Sequence, residues 1–126
     1  LRVLAALHGL APEFHKLPVA QAKLALASLQ ALLEAKLVPH EQGDEKDLYP
    51  LLARHLKGDD PMAAMSHTHR EIFRLVKLLG RMSSDFSASG TVLSQDEIHQ
   101  ALLRLDTVLS LHFQQEDELY HNLDNR

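Results

Sequence analysis

Residues 94–123 read SQDEIHQALLRLDTVLSLHFQQEDELYHNL, and one set of positions recurs in alternating steps of four and three: Ile98, Leu102, Leu105, Leu109, His112, Glu116, Leu119 and Leu123. A helix with 3.6 residues per turn brings such positions onto one side, so the stretch reads as a long amphipathic helix. Ser94 followed by Glu97 has the spacing of a capping box and sets its start. The inward stripe is apolar except at its centre, where a histidine and a glutamate stand one turn apart.

The same pattern holds upstream. A third helix carries Met62, Met65, His69, Ile72, Val76 and Leu79, and a second carries Leu26, Leu29, Leu33, Leu37, His40, Asp44, Leu48 and Leu51. Punctuation separates the pieces. Pro12 and Pro18 break the first segment. Lys57-Gly58-Asp59-Asp60-Pro61 stops one helix and restarts another, with Asp60 placed as its cap, and residues 83–90 (SSDFSASG) read as a loop. The spacing predicts helices over roughly 2–16, 19–57 (with a break or kink at Pro39), 61–82 and 94–122. No segment alternates with period two, so no sheet is expected. Four amphipathic helices with short connections imply a single all-α domain over residues 1–126, an up-and-down antiparallel four-helix bundle.

Composition narrows the function. The chain has 126 residues, a formal charge of −4, no cysteine and nine histidines. This length can bury a core without disulfides. Lacking cysteine, the chain has no thiolate metal site and no thiol chemistry. A mildly acidic chain without basic runs is not expected to bind nucleic acid. Leu24–Leu33, the most apolar stretch, is short and flanked by Lys23, Glu34 and Lys36, so it reads as a core helix and no membrane association is expected. Nothing reads as a signal peptide, and a reducing cytoplasm is the expected compartment.

An unpaired imidazole or carboxylate on a core face costs several kcal/mol, so the polar interruptions must find partners. His40/Asp44 and His112/Glu116 each project from one helical face, and His69 enters from a third helix. Neutral imidazoles and carboxylates converging on a bundle axis suit a hard or borderline cation, iron or manganese before zinc. A lone histidine on an apolar stripe is more often a satisfied core residue. Three helices interrupted at core phase point instead to a metal site. His67, His55, His99 and His121 read as solvated, and Tyr49 and Tyr120 as wall residues.

Residues 40–52 (HEQGDEKDLYPLL), 65–72 (MSHTHREI) and 112–120 (HFQQEDELY) together resemble the second-, third- and fourth-helix motifs of hemerythrin-like (HHE cation-binding) domains. In that family a His-x-x-x-carboxylate is followed by a second acid and then Leu-[Phe/Tyr]-Pro. The resemblance implies a non-haem di-iron centre with His40, His69 and His112 as terminal ligands and Asp44 and Glu116 as bridges. It also implies a first-helix histidine. His8, in phase with Leu1, Leu4 and Ala11, is the first choice, with His15 or a residue before Leu1 as alternatives. The family's oxygen carriers place two histidines four apart on the third helix. Here Phe73 and Met65 flank His69 at that spacing, which implies the four-histidine, two-carboxylate branch. Asp44 stands where glutamate is usual, and Pro39 precedes His40, so Glu41 and Glu45 are fallback ligands although both lie off the stripe. The implied function is binding of dioxygen, nitric oxide or a related small ligand in sensing, storage or protection. The alternatives are a di-iron enzyme or repair protein acting on peroxide or nitric oxide or donating iron, and a metal-free regulatory bundle. An upstream domain and a protein partner stay open.

Overall fold

The computed structural model describes residues 2–50 and 61–124, and their side chains except those of 48, 61–64, 120 and 122–124. The described residues are helical, with no strand among them. Helix α1 (Arg2–Leu10) is followed by a short 3₁₀ turn, Phe14–Lys16. Helix α2 (Val19–Leu32) runs through a π turn, Leu33–Leu37, into α3 (Val38–Gly43) and a second π turn, Asp44–Leu48. These four pieces make one continuous rod. Helices α4 (Pro61–Ser89) and α5 (Val92–Asp124) complete the fold. In the contacts between these elements α1 meets α2 and α5, α2 meets α4, and α4 meets α5, so the four helical segments enclose one core.

That core is aliphatic. Val3, Leu7, Ala11 and Phe14 come from the first segment, and Ala22, Leu26, Leu29, Leu33 and Leu37 from the rod. Ile72, Leu75, Val76, Leu79 and Phe86 of α4 meet Ile98, Ala101, Leu102, Leu105 and Leu109 of α5. The stripes expected on α4 and α5 are the buried faces, and the rod follows its expected stripe as far as Leu37. The expected cap at Asp60, the stripe positions Leu48, Leu51, Met62 and Leu123, and the readings of His55 and Tyr120 lie outside the described residues or side chains.

Three boundaries differ from the sequence reading. Helix α1 ends at Leu10 rather than near residue 16, because Pro12 has no amide hydrogen to continue the ladder. Its 3₁₀ continuation is held by Gln95, whose buried amide donates to the carbonyls of Phe14 and Leu17, each at 2.8 Å. Residues 83–89 are helix, not loop. Serine is only a mild helix breaker, and buried Ser83 and Phe86 keep the period of Leu79, with Phe86 packed on Phe14 at 6.1 Å between ring centroids. The turn shrinks to Gly90 and Thr91. There a Cβ on Gly90 would lie 2.5 Å from the Phe86 carbonyl oxygen, which explains the glycine. The reciprocal cap sits at Thr91, not Ser94: Thr91 N–H donates to Ser94 Oγ at 2.8 Å and Ser94 N–H to Thr91 Oγ1 at 3.1 Å.

The two π turns decide which side chains the rod turns inward. Val38 N–H bonds the carbonyl of Leu33, and Tyr49 N–H that of Asp44, each five residues back. Both donors immediately precede a proline, Pro39 and Pro50. A proline ring crowds the carbonyl four residues back and offers no donor, and a wider turn relieves the clash. Each π turn also inserts one residue into the helical register. Beyond Leu37 the inward positions therefore become Glu41 and Tyr49, and His40 is exposed.

Candidate metal centre

Glu41 from α3, His69 from α4, and His112 and Glu116 from α5 meet in the interior, each buried. Each offers one ligand atom, and those atoms lie within 4.8 Å of one another. Glu41 Oε2 is the hub. It touches His69 Nε2, and it is 2.8 Å from His112 Nε2, which is itself 3.1 Å from Glu116 Oε1. His40, Asp44 and Glu116 form a second group by the same criterion, so Glu116 belongs to both. His40 and Asp44 pair at 3.4 Å, and the His40 side chain is 43% exposed.

The structure brings His69, His112 and Glu116 together at core phase, with His40 and Asp44 beside Glu116. Two positions differ from the sequence reading. Glu41, taken from the sequence as off the stripe, is 0% exposed at the centre of the cluster, because the first π turn advances the register by one residue. His8 is not brought to the cluster. The inward face of α1 is Val3, Leu7 and Ala11, which leaves the His8 side chain 76% exposed and paired with Asp106 at 3.0 Å. His15 also faces outward and packs against His99 with the rings tilted and their centroids 4.3 Å apart. His67 is exposed, as expected.

Tyr49 was expected to be a wall residue and does more. The second π turn brings it inward, where its hydroxyl donates to Glu116 Oε1 at 2.8 Å and lies 2.8 Å from His69 Nε2. Its ring stacks on His69 at 4.9 Å. The signals for both shifts were Pro39 and Pro50, each inside an otherwise helical run. Phe113 packs against His112 and His40, and Phe73, one turn beyond His69, packs against it at 5.9 Å.

The electrostatics show groups coupled to one another. Burial pushes Glu41 up, but hydrogen bonds and charge from His112 and His69 outweigh it and hold the carboxyl down at about 2. Burial pushes His112 down, and its bonds to Glu116 and Glu41 outweigh that and hold the imidazole up at about 9. Asp44 is raised to about 6 by burial and by the Glu116 charge, against the pull of His40. Burial and the Glu116 carboxylate raise the Tyr49 phenol.

The donor set fits a cation. His69 Nε2 and His112 Nε2 face each other at 3.1 Å, and both converge on Glu41 Oε2. Without metal, protonated ring nitrogens can donate to the Glu41 carboxylate; deprotonated, the same two nitrogens direct both lone pairs toward one point beside it, as a cation requires. Glu41 Oε1 and His112 Nδ1 are buried without a hydrogen-bond partner, and a buried carboxylate oxygen with no donor calls for an explanation such as an ion.

The profile of the hemerythrin HHE cation-binding domain family matches residues 1–123. The chain belongs to that family. No curated protein and no solved structure gives a significant match to it. Membership makes this HHE domain a cation-binding protein, and the buried His/Glu cluster is the place in its described residues where a cation fits. No helix among those residues is long and apolar enough to cross a membrane.

Proposed function

We propose that this HHE domain holds two non-haem iron ions and binds dioxygen, nitric oxide or a related small ligand, in sensing, storage or protection. The observation that carries the reading is the pair of ligand groups sharing Glu116: Glu41/His69/His112/Glu116 on one side and His40/Asp44/Glu116 on the other. A carboxylate has two oxygens, so one residue can serve two cations and offset their repulsion. In this reading His69, His112 and Glu41 would hold one ion, His40 and Asp44 would hold the other, and Glu116 would serve both. Glu41 replaces His8 among the six residues.

Bound iron would supply a redox-active Lewis acid with coordination positions open to a small ligand. The chain's own residues do the rest. Glu41 and Glu116 balance positive charge in the interior, and His69 and His112 present nitrogen donors on rigid helices. Tyr49, Phe73 and Phe113 flank the imidazoles and limit water. The Tyr49 hydroxyl is a fixed donor beside Glu116, positioned to hold a proton at the edge of the cluster.

The test is metal analysis with a visible spectrum on freshly purified protein. About two irons per chain with oxo-bridge absorption is the expected result. Stoichiometric zinc alone, or no uptake after anaerobic iron loading, refutes the reading.

A further inference from the structure

Glu45 belongs to neither ligand group, yet both oxygens of its carboxylate are engaged by α4. His69 Nδ1 lies 2.9 Å from Glu45 Oε2, and Ser66 Oγ donates to Glu45 Oε1 at 2.6 Å. Ser66 and His69 are three apart on α4 and so share a face. The second π turn begins at Asp44, and in that widened turn consecutive acids part ways: Asp44 pairs with His40, and Glu45 reaches across to His69. The two ends of this contact differ sharply in burial, with His69 1% exposed and the Glu45 side chain 43%. A charge kept at the surface thus steers a ring in the interior without the desolvation that a buried carboxylate would suffer.

The other imidazole has no such arrangement. His112 Nδ1 is buried with no hydrogen-bond partner. The two histidines of the buried group are therefore unequal. A carboxylate that accepts from one ring nitrogen fixes the tautomer, orients the ring and raises the basicity of the other nitrogen.

We propose that Glu45 is a positioning residue of the metal centre: seated by Ser66, it accepts the Nδ1–H of His69 and so aims the Nε2 lone pair into the cluster. This rests on the metal-binding reading above. Glu45 touches no cation and acts through His69.

Cobalt(II) titration of the metal-free chain, followed by visible absorption with a competing chelator, tests it. Glu45→Ala is expected to weaken cobalt binding at the His69 position by about 10- to 100-fold without changing the number of ions bound. Glu45→Gln, whose amide oxygen can still accept from Nδ1–H, is expected between wild type and alanine, and it serves if the alanine variant fails to fold. Ser66→Ala, which removes only the seat of Glu45, is expected to shift the affinity in the same direction by less. A merely structural role would instead lower the urea midpoint of the metal-free protein and leave the cobalt affinity of folded protein unchanged. Unchanged affinity in Glu45→Ala and Glu45→Gln overturns the proposal, and so does loss of a whole cobalt equivalent, which would make Glu45 a ligand. Should wild type take up no cobalt, the metal-binding reading itself fails. If wild type binds and the Glu45 variants bind equally well, only the role of Glu45 falls.

Discussion

Replacing Glu41 by glutamine separates the structure from the sequence pattern, because the pattern puts Glu41 off the core stripe and the fold puts it at the centre of the cluster. The amide keeps the shape of the carboxylate, so no cavity opens and the change is one of charge. Folding lowers the Glu41 pKa from 4.5 to about 2, through His112 and His69 working against burial. That difference corresponds to about 3 kcal/mol of preference for the charged form in the folded state. Without it, two buried imidazoles lose their shared counter-charge, a loss in the range of about 3–5 kcal/mol for one partner of a buried pair. With a urea slope of about 1.5–2 kcal/mol/M, the midpoint of metal-free protein in EDTA at neutral pH falls by roughly 1.5–3 M. His8→Ala is the control. It removes an exposed pair with Asp106, worth about 0–1 kcal/mol, and leaves metal content unchanged. The reasoning is refuted if Glu41→Gln stays within about 0.5 kcal/mol of wild type, or if His8→Ala matches its loss of stability or metal.

Three further outcomes are expected from the same geometry. Glu116→Ala is expected to abolish uptake of both ions while His40→Ala retains one, read as iron per chain after anaerobic loading and desalting; equal losses would contradict a shared Glu116. In metal-free protein the pH dependence has two flanks. His112, raised from 6.5 to about 9 when folded, contributes stability present below its unfolded pKa and lost as pH rises through about 9. Glu41, lowered from 4.5 to about 2, contributes stability present above its unfolded pKa and lost as pH falls through about 2. Asp44, raised from 3.8 to about 6, subtracts stability as pH climbs through that range and draws the maximum to the acid side. Urea midpoints across pH should therefore peak at about 4 to 4.5 in EDTA and decline above it, and a maximum above about 8 would contradict the assignment. The glycines differ in sign. Gly43→Ala meets nothing within 4 Å in a helical position and is expected to stabilise by about 0.5–1 kcal/mol. Gly90→Ala drives a Cβ into the Phe86 carbonyl and is expected to destabilise by about 1–3 kcal/mol, both read from thermal midpoints.

Much of this was legible in the chain itself. The stripes of α4 and α5 place His69, His112 and Glu116 among leucines, and a helix that keeps its 3.6-residue period delivers each residue where counting says it will. Where counting failed, something had interrupted the period. Pro39 and Pro50 each force a wide turn, the inward position moves from His40 to Glu41, and Tyr49 turns inward. The loop expected at 83–90 failed differently: serine content signalled a break, but Phe86 buried on Phe14 anchors the helix to Ser89. His8 failed because a nine-residue helix before Pro12 offers too few turns to choose between adjacent apolar faces.

The amino-acid pattern by itself determined that this is an all-helical HHE domain with imidazoles and carboxylates on the inward faces of three helical segments, because hydrophobic periodicity and residue chemistry are properties of local sequence. Which carboxylate is central, that Tyr49 joins the cluster, and that Glu45 reaches His69 were decided only in three dimensions. A one-residue change of helical register rotates every later side chain by about 100°, and no composition or spacing rule records it until the rod is packed against α4 and α5.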